Sequence, residues 1–232
     1  MDNKIEVGIL GATGTVGQRF VQLLENHPWF RLHELVASER SAEKTYADAA
    51  DWRLSTLLPE EAAGKTIKKL GADLESVILF SGLDSSVAGE AEDLYANRGA
   101  IVISNSRNHR MDPDVPLLIP EINSDHCAAI ERQRKRRGGK GYIATNPNCS
   151  TIGLTMAIAP LERKFGVETL HVTTMQAISG AGYAGVTSYQ ILDNVIPNIG
   201  GEEDKIESEP RKILGRWDGE KFRDSAANPS TP

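Results

Sequence analysis

The sequence of 232 residues has few features of secreted, metal-stapled or membrane proteins. It contains only two cysteines, Cys127 and Cys149, too few for a disulfide framework and without the paired spacing of a metal clip. No apolar run approaches the ~18 residues that a transmembrane helix needs. A core-like strand is predicted to begin by Ile5, which leaves no room for a signal peptide. We therefore expect a soluble, cytoplasmic protein with no membrane partner.

An excess of basic charge is also missing. The 26 Lys and Arg residues are outnumbered by 32 Asp and Glu, which gives a formal net charge of −6. The basic stretch at residues 132–140 has no interleaved aromatic side chains, and we interpret it as a solvated loop. These features exclude nucleic acid as an expected partner. Hydrophobic residues make up 40% of the chain, enough for a real core in one large or two small domains.

The first part of the chain alternates short apolar runs with helical patterns. Strands are predicted at residues 4–11, 30–37, 76–81, 100–104 and 142–145, and helices at residues 18–26 and 87–97. This alternation predicts an α/β fold with a Rossmann-type parallel sheet covered on both faces. We place this cofactor-binding domain at residues 1–148.

The second domain is predicted at residues 149–232, and the pattern changes already after Pro113. A short strand is expected at residues 115–119, helices at 124–134 and 152–165, and a strand with one covered face at 168–175. Residues 202–205 are expected to form an exposed helix start. Because a lone strand leaves its backbone groups unpaired, we interpret this part as an incomplete α+β catalytic and dimerisation domain in a sequence cut short.

Three glycines lie directly between the first predicted strand and the helix that follows it. In such a turn, Gly11 permits the tight bend, Gly14 lets backbone amides approach an anion, and Gly17 lets the helix pack on the strand. The helix N-terminus then binds a pyrophosphate through its free N–H groups and its dipole. A glycine-rich turn without a ligand is the alternative, but the strand–turn–helix context favours dinucleotide binding.

The end of the second predicted strand indicates which dinucleotide is bound. NAD enzymes usually carry an acidic residue there, about 20 residues beyond the glycines, to bind the ribose 2′-hydroxyl. Here Ser38 and Ser41 flank Glu39 and Arg40, with Lys44 close behind. The two hydroxyls and the arginine suit a 2′-phosphate, which favours NADP. Glu39 leaves NAD open, because it could accept the ribose hydroxyl.

Cys149 follows a predicted buried strand and a turn fixed by Pro147, at the start of an apolar helix. The positive end of a helix dipole favours the thiolate form of such a sulfur. Neighbouring Asn, Ser and Thr side chains can supply capping and oxyanion donors. The alternative is a small buried residue that merely caps the helix. Beside a nicotinamide-binding fold, the motif favours a nucleophile that oxidises an aldehyde through a thioester.

Cys127 serves as a comparison within the same sequence. It is predicted to lie mid-helix beside Asp125 and His126, with no glycine or turn to expose it. We interpret Cys127 as a packing residue, and the three residues together as helix surface without a metal site.

Four motifs together carry a resemblance to a known family. The segments GATGTVG, NPNCST, QAISGAG and EPRKIL resemble those of aspartate-semialdehyde dehydrogenases, and RMDPDVPLLIPEIN resembles their archaeal and fungal branch. The resemblance runs from residue 4 to the end, and NPNCST is its most specific part. The related acetylglutamyl-phosphate reductases differ here, with a glycine in place of Asn148.

The resemblance implies a role for each matching position. Cys149 would be the acyl-thioester nucleophile, and Gln176 would orient the substrate and help to hold the oxyanion. Arg110 and Lys212 would bind phosphate, and Glu209 the substrate amine. The substrate- and phosphate-binding set is Arg110, Asn148, Glu209 and Lys212. The cofactor-binding set is Gly11, Thr13, Gly14, Thr15, Val16, Gly17, Ser38, Ser41, Ser81, Gly82, Ser179 and Gly180.

The implied reaction is the NADP-dependent reductive dephosphorylation of L-4-aspartyl phosphate to L-aspartate 4-semialdehyde, in lysine, methionine and threonine biosynthesis. Its partners would be the small substrate, inorganic phosphate and further copies of the chain in a homodimer or homotetramer. The family's general-base histidine and carboxylate-binding arginine are expected beyond residue 232, so we expect the chain alone to be inactive. The alternatives are a malonyl-CoA or succinyl-CoA reductase of the same branch and an inactive NADP-binding module.

Overall fold

The computed structural model describes residues 4–182, 185–225 and 229–230. The chain divides into two compact units. The first comprises Met1–His109 and Ile130–Asn146, and the second comprises Arg110–Ala129 and Pro147–Pro232. The predicted domain boundary lies between residues 148 and 149, two residues after the first unit ends at Asn146. That prediction did not include residues 110–129 in the second domain, where the structure places them.

Six strands of the first unit form one sheet, and short strand pairs lie in the second unit. Within the described residues the strands are β1 (Ile5–Leu10), β2 (Phe30–Ala37), β3 (Ile67–Lys69), β4 (Ile78–Ser81), β5 (Ile101–Ser104), β6 (Tyr142–Thr145), β7 (Leu170–His171), β8 (Arg216–Trp217), β9 (Phe222–Arg223) and β10 (Pro229–Ser230). The large sheet has the order β3-β2-β1-β4-β5-β6, with every pairing parallel. This is the Rossmann strand order, which confirms the predicted fold class.

Helices connect these strands. In the described ranges they are α1 (Thr15–Leu24), α2 (Tyr46–Ala49), α3 (Glu60–Ala63), α4 (Ser85–Asn97), α5 (Pro120–Asn123), α6 (Ala129–Arg137), α7 (Cys149–Phe165), α8 (Ser188–Ile191) and α9 (Glu202–Ile213). Short 3₁₀ helices lie at Ser124–Ala128 and Ile178–Ala181. In the part of the chain that the structure describes, none of the helices is long and apolar enough to cross a bilayer.

The core of the first unit explains why its strands lack polar alternation. Val7, Ile9 and Leu10 of β1 are all fully buried, because helices cover both faces of a parallel sheet. Val21 and Leu24 of α1 pack into the same apolar cluster. The six-stranded sheet thereby holds the turn after β1 in a fixed position.

The second unit has a smaller core beside α7 and α9. Leu117, Ile119 and Ile213 are buried together, with Ile122 and Ile152 packed against them. This core joins the segment around residue 117 to the helix that begins at Cys149 and to α9. Three distant segments of the sequence therefore meet in one place.

The strand predicted at residues 115–119 is wrong. The segment is buried without forming a continuous strand: only Leu117 is in a β-bridge, and side chains pair other backbone groups of the segment. Asn123 accepts a hydrogen bond from the N–H of Ile119 (2.9 Å) and donates one to the carbonyl of Leu117 (2.8 Å). The ammonium of Lys212 donates to the carbonyl of Val115 (2.8 Å).

The strand predicted at residues 168–175 is also largely wrong. Only Leu170–His171 are in a strand, paired in parallel with β10. Most of the remaining positions are exposed, so the alternating pattern has no covered face in this structure.

Three smaller expectations need correction. The helix predicted at 124–134 is a 3₁₀ turn followed by α6, and its three-residue period turns His126 inward and Cys127 outward. Cys127 is accordingly exposed and not a packing residue, whereas His126 is fully buried and not helix surface. Glu202 is buried as well, so the start of α9 is not exposed throughout.

Candidate functional site

The turn after β1 requires its glycines for close approach of backbone to backbone. Gly11 has φ +77°, and a Cβ there would lie 2.9 Å from the carbonyl oxygen of Gly82. A Cβ on Gly17 would lie 2.2 Å from the carbonyl oxygen of Gly11, which is possible only for glycine. Gly14 is less constrained, since its Cβ would meet Gly11 at 3.4 Å. The tight bend and the close helix–strand packing predicted for this motif are both present.

The N-terminus of α1 has the properties of an anion site. Its cap residue is Gly14, which offers no side-chain hydrogen bond, and the first turn has no acidic residue. The first N–H groups of the helix therefore lack a capping side chain, and the positive end of the dipole is uncompensated. The predicted cofactor residues Thr13, Thr15 and Val16 lie at the surface here, Val16 being 37% exposed.

Two buried side chains stabilise this turn by hydrogen bonds to its backbone carbonyls. The amide of Gln18 donates to the carbonyls of Thr13 (3.1 Å) and Asp51 (2.9 Å). The hydroxyl of Tyr46 donates to the carbonyl of Ala12 (2.8 Å). Sequence reasoning missed both braces. The signal for Gln18 was a polar side chain on the buried face of α1, whereas Tyr46 is the first residue of α2, 34 positions beyond Ala12.

The residues predicted to bind the adenosine phosphate follow β2. Ser38, Glu39 and Arg40 are exposed, and the N–H of Ser41 donates to the carbonyl of Ser38 (2.9 Å) in a turn. Glu39 forms an ion pair with Lys69 at the end of β3, and this hydrogen bond lowers the pKa of Glu39. The one acidic side chain at the end of β2 is thus bound to a lysine, while the two serines flank it.

Ser81 and Gly82 end β4 beside the glycine turn. The hydroxyl of Ser81 is buried and donates to the carboxylate of Glu92 (2.6 Å), as does the hydroxyl of Ser104 (2.7 Å). Burial raises the pKa of Glu92 against these hydrogen bonds. The Ser81 side chain therefore faces the interior of the unit, and the neighbouring backbone of Gly82 lies against the glycine turn.

In the second unit, Cys149 is the first residue of α7, a helix of 17 residues, and it is exposed. Asn148 is the cap of this helix: its Oδ1 accepts hydrogen bonds from the N–H groups of Ser150 (2.9 Å) and Thr151 (3.2 Å). A capped helix start fixes the backbone on which the thiol stands. The structure thus gives Cys149 an accessible position, not that of a small packing residue.

Glu209 connects two of the predicted substrate residues. One of its carboxylate oxygens accepts from Arg110 Nη1 (2.8 Å), and the other accepts from the backbone N–H of Asn148 (2.7 Å). All three residues are buried. The carboxylate of Glu209 therefore binds both the guanidinium of Arg110 and the backbone of Asn148. Asn148 is the residue directly before Cys149.

A second carboxylate of α9 lies two helical turns earlier, on the same face. Glu202 accepts a hydrogen bond from Gln176 Nε2 (2.8 Å) and another from Asn148 Nδ2 (3.2 Å). Gln176 is thereby brought to the cap of α7, whereas Ser179 and Gly180 are exposed in the following 3₁₀ helix. Sequence reasoning missed Glu202, although its spacing from Glu209 was the available signal.

Lys212 is buried and braces the segment that carries Arg110. Its ammonium donates to the carbonyls of Arg110 (2.6 Å), Asp112 (2.8 Å) and Val115 (2.8 Å). Burial lowers the pKa of Lys212 to about 8, although nearby carboxylates such as that of Asp112 oppose the shift. An ammonium has three N–H donors. All three are directed at these carbonyls, so Lys212 holds the backbone of the segment that carries Arg110.

The fold and the two groups of residues define a class. A Rossmann-order sheet with an uncapped glycine turn is a dinucleotide-binding fold, and Cys149 is exposed at the capped start of α7. The family model "Semialdehyde dehydrogenase, NAD binding domain" matches residues 6–130, and "Semialdehyde dehydrogenase, dimerisation domain" matches residues 158–230. The chain belongs to the semialdehyde dehydrogenase family.

Individual relatives agree with this assignment. The chain is 50% identical over 222 residues to the aspartate-semialdehyde dehydrogenase of Archaeoglobus fulgidus, covering 94% of this chain and 64% of that protein. A crystal structure of the Candida albicans enzyme with NADP superposes with a TM-score of 0.88 at 41% identity, covering 98% of this chain and 66% of that one. Aspartate semialdehyde dehydrogenase II from Vibrio cholerae gives a TM-score of 0.73 at 30% identity, covering 98% and 70%.

The match does not extend over the whole of the curated relatives. The chain spans 60–64% of their length. The glycine turn and the end of β2 lie in the first family match, Gln176, Glu202 and Glu209 lie in the second, and Cys149 lies between the two.

Proposed function

We propose that this chain supplies the cofactor-binding and nucleophile-bearing parts of an NADP-dependent aspartate-semialdehyde dehydrogenase. The reaction is the reversible conversion of L-4-aspartyl phosphate and NADPH into L-aspartate 4-semialdehyde, phosphate and NADP. The observation that carries the proposal is the exposed Cys149 on a helix start whose cap is bound to Glu209 and, through it, to Arg110. The family and the names of the relatives support the substrate class.

Cys149 would form the covalent intermediate. Its sulfur attacks the carbonyl carbon of the acyl phosphate, the bond from that carbon to the phosphate oxygen breaks, and phosphate leaves as the thioester forms. Splitting the reaction in this way replaces one high barrier by two lower ones. NADPH, when bound, supplies the hydride that releases the aldehyde and regenerates the thiol. Gln176 would orient the carbonyl, and Arg110 would bind the leaving phosphate.

The residues of the first unit fit a dinucleotide. The glycine turn and the uncapped N-terminus of α1 suit the pyrophosphate, for which Gly11, Gly14 and Gly17 provide the space. The ion pair between Glu39 and Lys69 supports NADP, because it occupies the acidic group that would otherwise accept a ribose hydroxyl. Ser38 and Ser41 would then bind the 2′-phosphate.

The second unit would also carry a self-association surface. Large apolar side chains are exposed in it, among them Met175 (99% exposed), Tyr189 (98%) and Val195 (79%). Contiguous exposed apolar surface marks interaction sites, and residues 158–230 match a dimerisation domain. We expect the chain to sediment as a dimer or tetramer at micromolar concentration. Sedimentation as a monomer over that range would contradict this part of the proposal.

The catalytic part is tested by following NADPH formation from L-aspartate 4-semialdehyde, with and without inorganic phosphate. Because the chain spans 60–64% of the length of its relatives and is expected to be inactive alone, it is assayed as a completed chain, fused to the part of the Archaeoglobus fulgidus relative that it does not cover. Replacing Cys149 by serine should abolish turnover, and replacing the second exposed cysteine, Cys127, should leave it unchanged. Phosphate-independent turnover, or turnover that survives Cys149→Ser, would overturn the mechanism. Turnover with malonyl-CoA or succinyl-CoA and NADPH in place of the aspartyl substrate would favour an acyl-CoA reductase.

Binding is measured separately from catalysis. NADP and NAD are titrated against the chain by calorimetry, with NADP expected to bind more tightly. NADP binding without turnover in either direction would retain the cofactor assignment and remove the catalytic one. No binding of either dinucleotide would remove both.

A further inference from the structure

Glu202 is a buried acidic residue to which neither the family motifs nor the proposed reaction gives a role. It is the first residue of α9 and is 7% exposed. One carboxylate oxygen accepts from Gln176 Nε2 (2.8 Å). The other accepts from Asn148 Nδ2 (3.2 Å) and Lys205 Nζ (3.0 Å). Its two amide partners are the residue proposed to orient the carbonyl and the cap of the nucleophile's helix.

The charge of Glu202 decides how these amides are oriented. Burial alone would raise the pKa of Glu202, but hydrogen bonds from Lys205 and Gln176 outweigh it and lower the pKa. An ionised carboxylate only accepts hydrogen bonds, so both amides must turn an N–H towards it. For Asn148, this leaves Oδ1 to accept from the N–H groups of Ser150 and Thr151.

The same reasoning applies to Gln176. Its Nε2 carries two hydrogens, one of which is directed at Glu202. The charge-assisted bond fixes the plane of the amide, and the second hydrogen then points in a defined direction. A neutral amide at position 202 could donate as well as accept, and would leave the orientation of both partners open.

We propose that Glu202 is a positioning residue, which fixes Gln176 for the reacting carbonyl and Asn148 for the helix start that bears Cys149. This inference rests on the proposed function for its effect on turnover, but not for its effect on the helix cap. The alternative is that Glu202 only stabilises α9, as one of three acidic residues in its first turn. Glu203 shares that general role and is exposed, which makes it the matched control.

The experiment compares Glu202→Gln with Glu203→Gln in the completed chain that is used for the activity assay. Each variant removes one negative charge from the same helical turn. For Glu202→Gln we expect kcat to fall roughly 10²-fold, as for a misplacement of about 1 Å, with an unchanged KM for NADP. Hydrogen exchange at the amides of Ser150 and Thr151 should also become faster. Glu203→Gln should resemble the parent chain in all three measurements.

A double variant separates positioning from stability. If Glu202 acts on turnover through Gln176, then Glu202→Gln combined with Gln176→Ala should be no slower than Gln176→Ala alone. Losses in kcat that multiply would show independent effects and would overturn positioning of Gln176. Equal exchange rates at Ser150 and Thr151 in Glu202→Gln and Glu203→Gln would overturn positioning of the cap.

Two further outcomes are covered. If the parent chain does not turn over, the proposed function fails while the exchange rates still decide whether Glu202 holds the cap. If Glu202→Gln does not fold, Glu202→Asp is used with Glu203→Asp as its control. The shorter carboxylate cannot reach both amides, so the same fall in kcat and the same faster exchange are expected.

Discussion

The first unit builds its candidate cofactor site from backbone, whereas the second unit builds its candidate nucleophile site from charged side chains. Around Gly11 and Gly17 the ligand groups are N–H donors of one continuous strand–turn–helix segment. Around Cys149, by contrast, Arg110, Gln176 and Glu209 come from three separate segments and meet through hydrogen bonds.

This difference has a physical consequence for how each site fails. A backbone site depends on space, and a single Cβ in the wrong place displaces the main chain. A site of buried charges depends on pairing, because removing one partner leaves the other desolvated and uncompensated. The predictions below address these two kinds of failure, beginning with the largest effect.

The largest loss of stability is expected from the second unit. Glu209→Gln removes the negative charge that faces the buried guanidinium of Arg110. Breaking one side of a buried ion pair costs about 3–5 kcal/mol of the free energy of unfolding. Urea unfolding should show this loss, whereas Glu203→Gln on the same helix should change stability by less than about 0.5 kcal/mol. A near-neutral Glu209→Gln would mean that the second unit does not depend on this pairing.

A smaller but specific loss is expected in the first unit. Gly17→Ala places a Cβ 2.2 Å from the carbonyl oxygen of Gly11, so the helix or the turn must move. We expect a loss of about 1–3 kcal/mol in unfolding free energy, together with weaker NADP binding measured by calorimetry. Gly14→Ala is the matched control for the loss of stability but not for NADP binding, because its Cβ meets the same oxygen at an acceptable 3.4 Å while Gly14 itself belongs to the proposed pyrophosphate site. Equal effects of the two substitutions would contradict the steric explanation.

These predictions also mark what the sequence alone could provide. β2 and β6 were predicted to the residue, and the sheet class followed from the alternation of strands and helices. The glycine turn could be assigned because its ligand groups are backbone and local in sequence. β3 was missed, since two of its three residues are lysines and it carries no apolar pattern.

The second site was predictable only in part. The helix start at Cys149 and its Asn148 cap are local features, and the resemblance to the family supplied Arg110, Gln176, Glu209 and Lys212. No local pattern indicates that Lys212 donates to three carbonyls near residue 112, about 100 positions earlier. Contacts of this kind depend on tertiary structure, which spacing along the chain does not encode.

A third prediction concerns the second unit and the pH dependence of its free energy of unfolding, to which the buried Lys212 contributes. The pKa of Lys212 is about 8 in the folded chain, and its ordinary value in the unfolded chain is 10.5. Between these two pH values the unfolded state therefore holds more protons than the folded state. The contribution of Lys212 to the free energy of unfolding should therefore rise as the pH increases from about 8 to 10.5. Below pH 8 both states are protonated, and no slope is expected from this group.

The measurement is the difference in unfolding free energy between the parent chain and Lys212→Met, taken at several pH values from 7 to 10.5. The difference should have a slope only in the alkaline part of this range. Lys221→Met, which replaces an exposed lysine of the same unit, should give a constant difference. A flat Lys212→Met difference would mean that burial does not perturb this ammonium.

The smallest change in cofactor affinity is expected at the end of β2. Unlike the glycine turn, this part of the candidate cofactor site consists of side chains. Glu39 is exposed and paired with Lys69, so Glu39→Gln should change NADP affinity only slightly. Ser38→Ala should weaken NADP binding more than NAD binding, because only NADP carries the 2′-phosphate. Calorimetric titration of both dinucleotides distinguishes the two cases. If Glu39→Gln instead weakened NAD binding selectively, the Glu39 carboxylate would be the group that binds the ribose hydroxyl. The end of β2 would then be the ribose site of an NAD enzyme.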